Sequence, residues 1–314
     1  MAAHEIAEVE HEGFPAWRLT SREAGLEAVF VPEAGMIGAS LRHRGEEMLG
    51  QRGGVRRYAE TGSSMGIPLL HPWANRIDGC GYTAAGREVR FTAESAPVRL
   101  ADGLPIHGLL SGSPLWEVTG AQAGEEGARL DARLDFGAHE RLLAGFPFAH
   151  EVTQTVYLWE SHLSIETSVR PTGDQAVPIS FGHHPYLRLP GVPRSEWRAE
   201  MPVRRQAVLD ERGLPTGEWR DVEFPPGELG GLVLDDLFTD LGRRPVFAIS
   251  AAGRELRVRF DQGYPYAVIW SPEGEDFICF EPMTAPTNAL VTGEGLRLVE
   301  PGDAFTARFT VTVV

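Results

Sequence analysis

Apolar and polar side chains alternate with a period of two through much of this chain. Leu130, Ala132, Leu134 and Phe136 alternate with Asp131, Arg133 and Asp135. Leu163, Ile165 and Val169 share one parity, and Leu256, Val258 and Phe260 alternate with Glu255, Arg257 and Arg259. Near the C-terminus, Phe305, Ala307, Phe309, Val311 and Val313 alternate with Thr306, Arg308, Thr310 and Thr312. This pattern predicts strands with one buried and one wet face. Windows of helical periodicity do not recur, and 36 glycines and 23 prolines punctuate the sequence at short intervals. Pro-Gly steps at 190–191, 226–227 and 301–302 mark turns. The expected fold is mainly β, a large antiparallel β-sandwich with few short helices, rather than a doubly wound α/β fold. No repeat or long linker divides the sequence, so residues 1–314 are expected to form one domain. Residues 58–66 read as a loop feeding the apolar run 67–70. Residues 190–231, rich in Pro, Gly, Arg and Glu, read as an excursion over one rim.

Charge narrows the partners. The formal charge is −15, which opposes binding to nucleic acid or to an anionic membrane while leaving room for a local basic pocket. Two cysteines, Cys80 and Cys279, make neither a disulfide framework nor a metal motif, and Cys279 reads as a buried thiol in an apolar run. No secretory signal and no apolar run of membrane-spanning length is visible, so the cytoplasm is the default location. A sandwich of this size is self-sufficient as a monomer, and an edge strand would support a homodimer.

Against this background a divided polar set stands out: Asn75-Arg76, His107-Gly108, His183-His184-Pro185-Tyr186 and Glu281-Pro282. Arg76 ends an apolar segment, where its donor fork suits vicinal hydroxyls or a carboxylate; its plainer use is to pair with a buried acid. Asn75 can donate and accept. His107 precedes a glycine that permits a tight turn or close ligand approach, and serves equally as a satisfied core residue. Adjacent His183 and His184 face opposite sides of a strand, and parity alone does not choose which enters a cleft. Tyr186 can wall a sugar pocket with its ring. Glu281 ends a hydrophobic strand, where burial costs desolvation and raises its pKa towards that of a general base; a structural salt bridge is the alternative. Asp235-Asp236 offers acceptors for hydroxyls or a solvated turn. His71, His107, His183 and His184 are numerous enough for zinc, yet they lack metal-site spacing.

This ordered set resembles the aldose 1-epimerase (galactose mutarotase) family. The matches are Asn75-Arg76-Ile77, His107-Gly108, His184-Pro185-Tyr186-Leu187, Leu234-Asp235-Asp236-Leu237-Phe238 and Cys279-Phe280-Glu281-Pro282, continuing to Asn288-Ala289-Leu290. The resemblance implies a large antiparallel β-sandwich with an open sugar cleft and an isomerase that needs no cofactor or metal. It implies Glu281 as general base on the anomeric hydroxyl and His184 as acid to the ring oxygen, with His107 near that oxygen. Arg76 would bind hydroxyls with Asn75 in support, Tyr186 would contact the sugar, and Asp235 would grip a hydroxyl deeper in the site. The expected substrate is a free aldohexose such as glucose or galactose. The assignment needs an ionised Glu281 and a protonated His184 at rest, and a neutral partner would break it. The pH profile should be bell-shaped, bounded by a carboxylate below and an imidazolium above, and a flat profile where both groups titrate would count against it. An epimerase of a phosphorylated or otherwise anionic hexose is the first alternative, with Arg188, Arg56-Arg57 and Arg204-Arg205 as candidate anion ligands. A non-catalytic sugar-binding protein is the second, although a binder needs no acid–base pair. A glycoside hydrolase would more naturally pair two carboxylates.

Overall fold

A computed structural model describes residues 3–314. Its largest sheet has nine strands, ordered Glu117–Ala123, Ala128–Asp135, His150–Trp159, His162–Pro171, Phe305–Val313, Arg254–Gln262, Val246–Ala251, Arg198–Glu200 and Gly227–Glu228. Every neighbour pair is antiparallel. A second sheet of eight strands runs through Pro215–Asp221, Arg205–Leu209, Leu234–Thr239, Tyr266–Ser271, Ile278–Met283, Gly182–His183 and Leu69–Leu70, with Tyr186–Leu187 also pairing Ile278–Met283. A five-stranded sheet, His4–His11 to Glu46–Glu47, forms the N-terminal flank.

The alternation explains why the sheets stack. Leu130, Val152, Ile165, Val258 and Phe309 turn inward from the nine-stranded sheet and join Ile269, Ile278 and Phe280 from the second sheet in one core. Opposite parity on the second sheet sends Val268 and Met283 into a separate small cluster and Tyr186 and Cys279 into another. That outer face carries the polar set. Helices are few and short, the longest being Gly54–Thr61 with eight residues. Among the described residues no helix is long and apolar enough to cross a membrane.

Two details differ from the sequence reading. Residues 58–61 end a helix rather than open a loop, because Val55 and Tyr58 give it only two buried anchors, too few to set a visible period. Residues 190–231 are no excursion: Arg198–Glu200 and Gly227–Glu228 finish the edge of the large sheet, and Arg205–Leu209 and Pro215–Asp221 the edge of the second.

The core also holds histidines as neutral groups. His150 Nδ1 donates to Phe148 O at 2.6 Å, so its Nε2 accepts from His71 Nε2 at 2.8 Å. His183 contacts Gln154 Nε2 at 3.2 Å and the Tyr264 hydroxyl at 3.3 Å. Burial lowers the His150 pKa to about 4 and that of His183 to about 3. Their folded values lie below the unfolded value of about 6.5, so the stabilisation is complete above pH 6.5 and is lost as pH falls towards 4 and 3. These two histidines alone are expected to lower the unfolding free energy by roughly 4 kcal/mol between pH 8 and pH 5, about 2 kcal/mol each. The other buried histidines with lowered values, His71, His107 and His184, act in the same direction. Urea unfolding at the two pH values measures it, and equal stabilities would contradict neutral burial.

Candidate active site

Register places the central pair. Gly182 pairs with Met283 and Tyr186 pairs with Cys279, so the same register sets His184 opposite Glu281. Cross-strand side chains on one face are near neighbours, and His184 Nε2 lies 3.2 Å from Glu281 Oε1. Both are buried, at 5% and 1% exposure. Asp235 pairs with Trp270, and Trp270 with Cys279, which carries Asp235, Trp270 and Tyr186 onto the same face. The rings of His184 and Tyr186 stack at 4.5 Å, and Trp270 meets both edge-on.

Two crossing loops complete the site. Asn75 and His107 both have left-handed backbones, with φ of 53° and 63°. His107 N–H donates to Asn75 O at 3.0 Å, and Arg76 bridges to Ile106. The His107 ring then meets His184 edge-on at 5.4 Å. Asn75 Oδ1 accepts from Arg76 N–H at 2.8 Å and from Arg76 Nη1 at 3.3 Å. Behind this loop Asn288 Oδ1 accepts from Asp78 N–H, and Asn288 N–H donates to Arg76 O. Among the described residues Arg76 has no carboxylate at salt-bridge distance, so the ion-pair use weighed for it is not the one made.

Together these residues line a cleft of about 210 Å3 with Arg52, Ser64, Arg99, Ala101 and Ile106. Five polar atoms of the lining are buried with no protein partner among the described residues: Ser64 Oγ, Arg76 Nε, His107 Nδ1, His184 Nδ1 and Glu281 Oε2. Each orphan costs about 1–3 kcal/mol. Such a concentration is expected where polar groups await a polar ligand.

Burial also decides the charge of the pair. It pushes Glu281 well above the ordinary carboxylate value; neighbouring Asp235 adds to the rise and Arg76 opposes it. Burial, reinforced by the positive charges of Arg52 and Arg99, lowers His184 to about 3. Desolvating two ions costs several kcal/mol each, more than one contact at 3.2 Å returns. Burial and the neighbouring charges thus work against the ionised resting pair expected from the sequence. His107 is likewise held well below its ordinary value by burial and by the nearby His184, Arg99 and Arg76.

The sequence matches the family model described as Aldose 1-epimerase over residues 20–312. The chain belongs to the aldose 1-epimerase family. The YihR protein of Escherichia coli (strain K12) is 26% identical over 252 residues, covering 75% of this chain and 77% of that one. The Slr1438 protein from Synechocystis sp. PCC 6803 superimposes with a TM-score of 0.78 at 26% identity, covering 98% of this chain and 99% of its own. A galactose mutarotase-like protein from Clostridium acetobutylicum gives a TM-score of 0.85 at 20% identity, covering 99% and 98%. The sandwich is the fold of this aldose 1-epimerase family.

In this aldose 1-epimerase family member, all seven residues singled out from sequence line one cleft: Asn75, Arg76, His107, His184, Tyr186, Asp235 and Glu281. Asp235 departs from its expected depth; it stands exposed on the cleft wall. Its neighbour Asp236 accepts from Gln206 at 2.6 Å and does not line the cleft. The four histidines weighed for zinc do not converge, because His71 and His183 make their bonds inside the core. The other six lining residues were not singled out from the sequence: Arg52, Ser64, Arg99, Ala101, Ile106 and Trp270.

Proposed function

We propose that this protein is an aldose 1-epimerase, interconverting α and β anomers of aldohexoses by acid–base ring opening and closure. The observation that carries the reading is the buried His184–Glu281 contact of 3.2 Å, facing a cleft lined by unpartnered polar atoms.

Ring opening removes a proton from O1 and delivers one to O5. In the charge-separated form of the pair, Glu281 accepts the O1 proton and His184 gives one to O5. The C1–O5 bond breaks and a free aldehyde results. The pair is then neutral, the form that burial favours. Rotation about C1–C2 offers the other carbonyl face, and the same two groups close the ring in reverse. Arg76 draws the Glu281 pKa down and so favours the carboxylate needed for the first step. His107 orients the sugar near O5, while Asn75, Tyr186 and Asp235 hold hydroxyls. Only C1, O1 and O5 react, so the chemistry is common to hexoses that differ elsewhere on the ring. Freshly dissolved α-anomers should equilibrate faster with the protein than in buffer. Failure to accelerate any aldohexose, neutral or charged, would sink the reading.

The shared proton sets the pH dependence. The active protonation state holds one proton on the pair. A lowered His184 pKa moves the acid limb down towards about 3, and a raised Glu281 pKa moves the basic limb up from the carboxylate range. On the acid side the turnover rate is therefore expected to show no falling limb between pH 7 and pH 5, where a free imidazole would titrate. A rate that falls with acid around pH 6.5 would mean that His184 titrates alone.

A further inference from the structure

The arginines of the cleft divide into two groups. Arg76 is held in the crossing loops, by Asn75 Oδ1 and by its bridge to Ile106. Arg52 and Arg99 are held from another segment, and neither is in an ion pair among the described residues. Both are fixed in place by one short segment: Arg99 Nη1 donates to Gly62 O at 3.0 Å and Arg52 Nη1 to Ser64 O at 3.1 Å. Arg52 also donates to the Tyr186 hydroxyl at 3.3 Å, and its guanidinium lies over the rings of Tyr186 and Trp270, at 5.6 and 5.5 Å. Among the described residues the other N–H donors of the two side chains have no protein acceptor.

Two like charges fixed in one cleft repel each other, and a neutral sugar brings no charge to offset that repulsion. An anionic group between them would be met by donor forks suited to terminal oxygens. The arginines named from sequence for this task are occupied elsewhere. Arg188 pairs with Asp276, Arg205 lies over Trp219, Arg56 and Arg57 are exposed on the helix, and none of them, nor Arg204, lines the cleft.

Position on the sugar follows from the proposed chemistry. His184 serves O5, and Arg52 lies on the His184 side of the cleft: it donates to the Tyr186 hydroxyl, and the Tyr186 ring stacks on that of His184. The carbon reached from O5 away from C1 is C5, which bears C6. We propose that the substrate is a hexose with an anionic group on C6, clasped by Arg52 and Arg99. This rests on the epimerase reading and adds the substrate class to it. Carboxylate, phosphate and sulfonate share the recognising chemistry.

The test compares glucose with glucuronate, glucose 6-phosphate and a 6-sulfonated glucose. Anomer exchange is followed by NMR above the uncatalysed rate, with direct titration of each sugar in parallel. At least one charged sugar is expected to exceed glucose in kcat/KM by about 100-fold or more, the scale on which sites reject a substrate lacking its charged handle. Arg52→Gln and Arg99→Gln are each expected to lower the ratio of charged to neutral turnover by about 10-fold or more, with Arg→Lys partly restoring it. Glucose turned over as well as every charged sugar would overturn the proposal and leave the epimerase standing. Charged sugars bound but never turned over would keep the anion clasp and overturn the epimerase. No binding of any charged sugar would overturn the clasp. The wild-type comparison decides even if a variant fails to fold.

Discussion

Glu281→Gln is expected to lower the turnover rate for a single anomer by about 10²- to 10⁴-fold, the usual contribution of one general acid or base. Glutamine keeps the shape of the side chain and one acceptor oxygen, so His184 keeps a neighbour. It cannot take a proton from O1. His184→Asn should cost a similar factor, because O5 then leaves unprotonated. The two act as a unit across a 3.2 Å contact, so the double variant should lose little more than the worse single one. Spontaneous mutarotation in water sets the floor for all three. Glutamine also relieves the cost of burying an ionisable group, so the thermal midpoint should hold or rise. Optical rotation of a freshly dissolved anomer measures the rate, and a variant within threefold of wild type would remove Glu281 from the chemistry.

Gly108→Ala should be the most damaging small substitution in the frame of the site. Gly108 has a φ of 74°, and an added Cβ would lie 2.2 Å from His71 O and 2.3 Å from His71 C. Both are backbone atoms, and the same carbonyl accepts from Leu109 N–H at 2.7 Å, so it has little room to retreat. Left-handed strain costs about 1–3 kcal/mol and forced overpacking another 1–3 kcal/mol. A loss of roughly 2–6 kcal/mol is a large share of a typical folding free energy. Gly86 is the control: its φ is 73° with nothing within 4 Å of an added Cβ. Gly86→Ala should cost only the local backbone term, about 1–2 kcal/mol. Urea midpoints at unchanged m-value compare the two. Equal losses would show that the His71 contact is not tight. Any Gly108→Ala protein that folds should also turn over slowly, since residue 107 moves with its neighbour.

Sequence patterning reveals most of this architecture because a sheet buried on one face writes its register into every second residue. Strands 128–135 and 150–159 of the large sheet repeat buried and less buried positions without a break. The signal fades where both faces are covered. Ile278–Met283 is buried at every position, so parity in the sequence could not tell the Glu281 face from the Phe280 face. Trp270 escaped for the same reason, lying in a strand apolar on both sides. His183 and His184 were separated only by the pairing of their strands with Ile278–Met283, a long-range relation with no local trace. Arg52 follows a glutamine and precedes two glycines, and Arg99 lies on a short hairpin strand. Nothing adjacent marks either as a cleft residue; they meet only because residues 62 to 64 tie both down. The resting charges of His184 and Glu281 depend on burial depth, which residue order does not carry.

His184 and Glu281 are opposed by the ladder of one sheet, whereas Arg52 and Arg99 are hung from the carbonyls of a short connecting segment. The reaction and the choice of sugar are thus separately heritable. Insertions or exchanges around residues 50–65 and 99–103 can retune what is admitted without rebuilding the proton pair. A lineage built on this frame can diversify its diet while its chemistry stays still.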